Sequence, residues 1–333
     1  MAEAGPRKPR SIVSREPQQT RRWADWLLDR AFRILIWVSR LLPYRARVPA
    51  LGALVEHVLG PLAGYRRRAI HQLQFIWPNM SEPEARRIAS AVLNNTGRTL
   101  IENYDTQSLL SRAKDWPLHG TGLDALDKAR AAGRPILLIT GHFGNYEAGR
   151  AALVRRGFEP GGLYRPLKNA YANAHYVATM QSFGGPVFPR GRDGLKNLVR
   201  FIRGGGQAVM LIDQFYQGGE ALDFLGQPAL TSLSAAELAL KYDALLVPFY
   251  ATRQASGLDF EIEVEAPIPH TDPRTMTQAL TDSLAKRIKA QPEQWFWVHR
   301  RWKPDWVRGQ RARKAARQAQ SAANASDQQS PGN

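Results

Sequence analysis

Hydrophobic and polar positions divide the chain into two regimes, helical first and alternating afterwards. Between Trp23 and Leu42 apolar residues recur at 23, 27, 31, 34, 38 and 41, with 28, 32, 35 and 42 widening the stripe, while Asp25, Asp29, Arg33 and Arg40 share the opposite face. Recurrence at steps of three and four predicts an amphipathic helix. Its charges interrupt any run of the roughly 20 apolar residues that a spanning helix needs. Trp23, Trp26 and Trp37 suit a headgroup boundary, so the helix is expected to lie in a membrane interface. The competing reading docks its apolar face onto the rest of the protein. Pro43 and Pro49 are expected to end this element, and residues 50–113 continue as helices broken at Gly60-Pro61 and Trp77-Pro78. Ser81 with Glu84 forms a capping box that opens a helix reaching about Tyr104.

After residue 115 the pattern changes to alternating strand and helix. Ile136 to Ile139, bounded by Pro135 and Gly141, is an apolar run too short for a helix and reads as a strand buried on both faces. A helix near 147–157, a strand at Leu163-Tyr164, a helix over 171–183, a strand over 186–188 and a helix over 194–202 follow. The run Gly204-Gly205-Gly206 then leads into a second apolar strand, 208–212. A helix over 234–242, strands at 245–250 and 259–265, a helix over 276–290 and a last regular run from Trp295 to Trp302 complete the series. The expected fold class is α/β, with a mixed, largely parallel central sheet flanked by helices and right-handed crossovers. The expected organisation is a disordered basic arm over 1–22, the amphipathic or membrane-anchoring helix over 23–43, a helical region over 44–114, the α/β core over 115–306 and a disordered tail over 307–333.

Composition narrows the partners. A net charge of +17 calls for polyanionic company, whether nucleic acid, an anionic membrane, an acidic protein or a phosphorylated substrate. The basic cluster Arg66-Arg67-Arg68 suits phosphates or a solvated face. With no cysteine the chain has neither disulfides nor a thiol nucleophile. Its seven scattered histidines offer no pair at metal-binding helical spacing, so no metal is expected.

Candidate chemistry collects where the strands end, beyond their carboxyl ends. The central strand delivers His142, followed five positions later by Glu147. On a regular helix these would stand about 140° apart, so they converge only across a non-helical turn, which Gly144 and Asn145 tolerate. A carboxylate on one imidazole nitrogen frees the other to take a proton from a hydroxyl, which makes the pair a candidate general base and its orienter. A buried histidine bonded to its own loop is the alternative. His119 and Asp124 repeat the spacing, but no apolar strand precedes them and Thr121 reads as a helix cap. Other strand ends carry Arg165 and Lys168, Arg190, and Asp213-Gln214. Such cations can bind phosphate or offset developing negative charge. Asp213 is either part of that network or the cap of a helix. There is no Gly-x-Ser-x-Gly elbow and no Walker loop, and the glycine run at 204 precedes a strand where a dinucleotide fingerprint would follow one.

The block Gly141-His142-Phe143-Gly144-Asn145-Tyr146-Glu147 resembles the His-x4-acid motif of glycerolipid acyltransferase-like proteins, in the form found in bacterial lipid A biosynthesis acyltransferases. The resemblance continues through Tyr164-Arg165-Pro166-Leu167-Lys168-Asn169, Asp213-Gln214, Phe224 to Thr231, and Gln294 to Lys303. It implies transfer of a fatty acyl chain from acyl carrier protein to a hydroxyl of a phosphorylated, acylated glucosamine lipid, at the cytoplasmic face of the bacterial inner membrane and without a cofactor. On that resemblance His142 is the base and Glu147 its orienter. Arg165, Lys168, Arg300 and Arg301 offset phosphate or oxyanion charge, and Asp213 supports them. Packing of Arg300 and Arg301 among Trp295, Trp297 and Trp302 is the alternative for those two. Family members usually begin with a more convincing membrane span than this chain has. Two other functions remain open: an acyltransferase using acyl-CoA on a phosphatidylinositol mannoside, and a non-catalytic binder of anionic membrane or nucleic acid. Nucleic acid is not an expected partner, because most tryptophans sit in the amphipathic amino-terminal helix and the carboxyl-terminal block, where lipid binding is the better use of them.

Overall fold

The computed structural model describes residues 19–302. The expected tail, and residues 1–18 of the expected arm, lie outside the described residues, as does Lys303. The amino-terminal part is helical: α1 (Gln19–Arg40), α2 (Tyr44–Leu54), a π-helical turn (Val55–Leu59), the single turn α3 (Gly60–Leu62), α4 (Tyr65–Ile76), α5 (Glu82–Tyr104) and α6 (Thr106–Arg112). The Ser81 side chain accepts a hydrogen bond from the Glu84 amide at the start of α5, as the capping box requires. Pro49 lies inside α2 and does not end a helix; Val48 and Leu51 on either side of it are buried and hold that segment in place.

The α/β part then runs β1 (Leu118–His119), α7 (Leu123–Ala131), β2 (Ile136–Thr140), α8 (Tyr146–Arg155), β3 (Gly161–Tyr164), α9 (Ala170–Gln181), β4 (Val187–Pro189), α10 (Arg192–Arg203) and β5 (Gln207–Leu211). It continues with β6 (Glu220–Phe224), β7 (Gln227–Thr231), α11 (Ser234–Tyr242), β8 (Leu245–Arg253), β9 (Phe260–Val264) and α12 (Pro273–Ala290). Seven strands form one sheet in the order β1-β9-β8-β2-β5-β3-β4. Strands β8, β2, β5, β3 and β4 are mutually parallel, while β9 runs antiparallel to β8 and carries β1 alongside it. The sheet is thus mixed and largely parallel, as the alternation predicts.

Strand β2 is buried at all five positions because helices cover both faces. Leu137 and Ile139 pack with Leu198, Ile202, Ala239 and Leu280 of α10, α11 and α12. Ile136 and Leu138, pointing the other way, pack with Leu126 and Ala129 of α7 and Leu153 of α8.

The structure adds one element and corrects one expectation. Strands β6 and β7 form a separate hairpin that the sequence pattern does not announce. Its turn places Leu225 and Gly226 at positive φ, an unusual choice for leucine, and Pro228 argues against a strand. The segment Trp295 to Trp302 is irregular and not a regular element. Its three indoles, Trp295, Trp297 and Trp302, are fully buried and pack with Phe224, Leu284 and Ile288, and an isolated bridge pairs Trp295 with Phe143, the Phe296 amide donating to the His142 carbonyl at 2.9 Å.

Helix α1 meets the protein with its polar face and one edge of its apolar stripe. Its polar face meets the protein: Asp29 is buried and bonded by Arg33, Arg33 reaches the Tyr171 carbonyl, Arg40 reaches that of Tyr104, and Asn169 donates to the Asp25 carbonyl. Phe32, Leu35 and Ile36 pack against Val48, Leu51 and Ile101. The rest of the apolar stripe, Trp23, Leu27, Leu28, Ile34, Trp37, Val38 and Leu41, faces outward. The stripe therefore docks on the domain along one edge only, at Phe32 and Leu35, and its larger part stays outside. No helix among the described residues is long and apolar enough to cross a membrane.

A buried ion pair ties the helical part to the sheet, with Arg253 at the end of β8 donating to Glu102 of α5 at 2.8 Å. Arg253→Met, which leaves Glu102 buried without its cation, is expected to destabilise by ~3–5 kcal/mol in urea unfolding, with much of the loss recovered when Glu102→Met is added.

Candidate active site

Strands β2 and β5 are adjacent and parallel, with Thr140 opposite Leu211, so the residues just past their carboxyl ends are neighbours. Those residues are His142 and Asp213. The Asp213 carboxylate is buried and accepts from the His142 backbone amide at 2.6 Å, faces the imidazole Nδ1 at 2.8 Å, and accepts from the Trp295 indole at 2.9 Å. Burial pushes this carboxyl up, but the His142 charge and its two hydrogen bonds outweigh burial and hold the group well below the usual carboxylate range. An ionised Asp213 assigns the imidazole proton to Nδ1, where it donates to the carboxylate. Nε2 is left unprotonated, as a general base requires.

The partner expected for His142 was Glu147, and the structure places it elsewhere. The turn between them is non-helical, as anticipated: Gly144 has φ +55°, and an added Cβ would meet the Ala251 carbonyl oxygen at 1.8 Å. The Asn145 side chain, however, caps α8 by accepting from the Glu147 amide at 3.1 Å, which starts the helix and turns Glu147 toward Arg150. The Glu147 carboxylate, buried, lies 3.3 Å from the Arg150 guanidinium, itself buried and bonded to the carbonyls of Pro160, Met180 and Gly184. Burial raises the Glu147 carboxyl, with Arg150 opposing it. Asn145 also donates to Glu102 at 3.0 Å, so the loop carrying His142 hangs on the Glu102–Arg253 pair.

The cations predicted from sequence separate. Arg165 and Lys168 are exposed on the loop between β3 and α9, and Arg300 is exposed. Arg301 is buried, donating to the carbonyls of Gln214 and Leu230 and to the Thr231 hydroxyl, with its guanidinium 5.2 Å from the Phe224 ring centre. It holds the backbone just after Asp213 against β7, the structural alternative for this residue. No helix starts at Asp213, so the capping alternative falls. His119 pairs with Glu261 across two exposed side chains, and the amino-terminal cap of α7 is Gly122 rather than Thr121.

Three site residues escaped the sequence reading. The Trp295 indole fixes Asp213 from below. Tyr146, next to the cap, sets its ring 5.9 Å from that of His142. His299 packs edge-on to His142 at 4.6 Å, and its buried Nε2 has no hydrogen-bond partner. Burial, aided by the neighbouring His142 and Arg68 and opposed by Asp213, pulls the His299 imidazole down to about 4. Its place two residues before the buried Arg301 was the available signal.

The site opens on a cavity of about 220 Å³ lined by His142, Tyr146, Phe296 and, from one face of α5, Val92, Thr96 and Leu100. The Thr96 hydroxyl is bonded to the Val92 carbonyl, so Val92 and Leu100 give this wall its apolar part, while Asn95, Thr99 and Asn103 of the same helix add polar groups. A larger polar cavity, about 650 Å³, lies on another face of α5 among Asn94, Arg98 and Gln254 and does not reach His142. The smaller one is the candidate site, because it holds His142 and lies beside Asp213.

Because His299 stays neutral in the folded chain down to about pH 4, while an unfolded histidine takes up its proton near 6.5, the unfolded state binds more protons between these values. Stability is expected to fall as pH drops through that window, and His299→Phe to flatten that part of the profile in thermal melts. Asp213→Asn is expected to lower stability at pH 7, the difference from wild type shrinking below pH ~4, where the unfolded carboxyl also protonates.

Comparison with known proteins agrees with the motif resemblance. The model of the bacterial lipid A biosynthesis acyltransferase family matches residues 11–304. A lipid A biosynthesis acyltransferase of Haemophilus influenzae is 22% identical over 279 residues, 83% of this chain and 86% of that protein. A lipid A biosynthesis lauroyltransferase of Escherichia coli is 26% identical over 298 residues, covering 85% and 92%. A phosphatidylinositol mannoside acyltransferase of Mycobacterium tuberculosis is 27% identical over 200 residues, covering 59% and 63%. A match across nearly the whole described chain, over the strands and loops that assemble His142 and Asp213, shows that this chain belongs to the bacterial lipid A biosynthesis acyltransferase family.

Proposed function

We propose that the protein transfers a fatty acyl chain from the thioester of acyl carrier protein to a hydroxyl of a phosphorylated, acylated glucosamine disaccharide lipid, working at the cytoplasmic face of a bacterial inner membrane. The observation that carries the reading is the His142–Asp213 pair at the mouth of an apolar cavity. His142 Nε2 takes the proton of the acceptor hydroxyl as its oxygen attacks the thioester carbonyl. The tetrahedral oxyanion collapses, the C–S bond breaks, and the imidazolium returns its proton to the departing thiolate. No covalent enzyme intermediate forms, which suits a chain without cysteine.

Asp213 holds the productive tautomer and stabilises the imidazolium during the step. Glu147 serves the same step at one remove, fastening α8 through Arg150 and so fixing the loop that carries His142. Arg165, Lys168 and Arg300, exposed around the strand ends, are the cations available to acceptor phosphate. The apolar stripe of α1 supports membrane association: a row of exposed tryptophan, leucine and isoleucine flanked by arginine is the pattern of a helix lying in an interface. The net charge of +17 suits both an acidic carrier protein and an anionic bilayer.

A second acceptor is kept in view because the mycobacterial relative, named for acylation of phosphatidylinositol mannoside, matches at 27% identity. The test is transfer of labelled acyl chains, carrier-bound and CoA-bound, by the purified chain to a tetra-acylated glucosamine disaccharide phospholipid and, separately, to a phosphatidylinositol mannoside. Carrier-dependent transfer to the disaccharide is expected, falling ~10²–10⁴-fold in both His142→Ala and Asp213→Asn. Glu147→Gln is expected to lose less than either, since it keeps the helix cap and only weakens the Arg150 contact. Full activity in folded His142→Ala overturns the mechanism; transfer only to the mannoside from CoA replaces the acceptor and donor.

A further inference from the structure

A second apolar surface stands apart from α1, where α2 leads through the π-helical turn into α3 and α4. Val58 and Leu59 end the π turn, Leu62 ends α3 and is 83% exposed, and Tyr65 opens α4; all four are exposed large side chains within eight residues. Arg66, Arg67 and Arg68 follow Tyr65 in the first turn of α4, Arg67 exposed and Arg66 and Arg68 half-buried. Among the described residues none of the three takes part in an ion pair. Arg66 donates to the Glu56 carbonyl at 2.7 Å, and Arg68 lies 5.4 Å from the ring centre of Tyr65. Exposed apolar side chains followed within one helical turn by arginines outside any ion pair combine the two chemistries that an anionic leaflet offers, acyl chains and phosphates.

The turn is rigidly coupled to the site. The inner face of α4, Ala69, Leu73 and Ile76, is buried in the core that holds Trp295, Trp297 and Trp302. Phe75 packs on Trp302 and Trp77 on Trp297. Arg68 lies close enough to His299 for its charge to disfavour a proton there, and His299 packs on His142.

We infer that the segment Val58 to Arg68 is a second lipid-contacting element, with Leu59, Leu62 and Tyr65 entering an anionic bilayer and Arg66, Arg67 and Arg68 meeting its phosphates beside the mouth of the active site. The proposal rests on the reading that the protein acts on a membrane lipid, and it adds a contact independent of α1. An acidic protein partner is disfavoured by the protruding leucine: charge pairing alone gives Leu62 no cover, whereas a bilayer covers it.

The absence of cysteine from the chain makes a clean test possible. Leu62→Cys carries a single thiol for an environment-sensitive fluorophore, and Ile34→Cys on α1 is its companion probe. Both sites are exposed, so neither label disturbs packing. With phosphatidylglycerol-containing vesicles both probes are expected to shift to the blue and to be quenched by lipids brominated in their acyl chains. Arg66→Gln/Arg67→Gln/Arg68→Gln in the Leu62→Cys background is expected to weaken vesicle binding by roughly 100-fold at low salt. A silent Leu62 probe beside a responding Ile34 probe overturns the proposal, as does a Leu62 probe that responds to acyl carrier protein in solution and not to vesicles. Silence of both probes removes the membrane location as well. Absence of acyl transfer while both respond sinks only the catalytic reading, so the two failures are distinct.

Discussion

One buried carboxylate organises the centre of this protein. Asp213 stands at the end of a core strand, out of water, and is kept ionised by a backbone amide, an imidazole and an indole contributed by two distant stretches of chain. An isolated carboxylate so placed would take up a proton. Every element that brings a donor to it is therefore part of the site. Strands β2 and β5 must be neighbours, the loop after β2 must turn sharply at Gly144, and the irregular Trp295–Trp302 segment must pack beneath them. Arg301 closes the arrangement by holding Gln214 and β7 from the other side.

Around that centre the charged residues divide by burial. Those inside hold structure: Arg150 with Glu147 fastens α8 to the loops around β3, and Arg253 with Glu102 fastens α5 to the sheet and, through Asn145, to the loop that carries His142. Buried ion pairs of this kind add little net stability over apolar packing, but they fix one arrangement, because a misplaced partner leaves a charge stranded. The exposed cations, among them Arg165, Lys168, Arg300 and Arg67, can face an anionic substrate or surface.

Helix α1 shows how far an amphipathic pattern can be read. Its period establishes a helix with one apolar stripe, yet the same pattern is compatible with burying that stripe or presenting it. The tertiary contacts decide the matter. Asp29 and Ser39 are buried, Arg33 and Arg40 bond to backbone carbonyls of the domain, and the tryptophans face outward.

Local chemistry in the sequence was enough for the α/β class, the burial of β2, the capping box of α5, the delivery of His142 to a strand end and the turn at Gly144 and Asn145, since each depends on neighbours within a few residues. The motif blocks were enough for the family, because they carry its pattern in order along the chain. The pairing of His142 with Asp213 depended on something else. It joins residues 71 positions apart, through a strand order that places β5 beside β2, and spacing along the chain favoured the nearer acid, Glu147. The roles of Trp295, His299 and Arg301 were hidden for the same reason. Residue type and local periodicity set which groups are available; only the closure of the sheet and the packing of the indoles beneath it decide which of them meet.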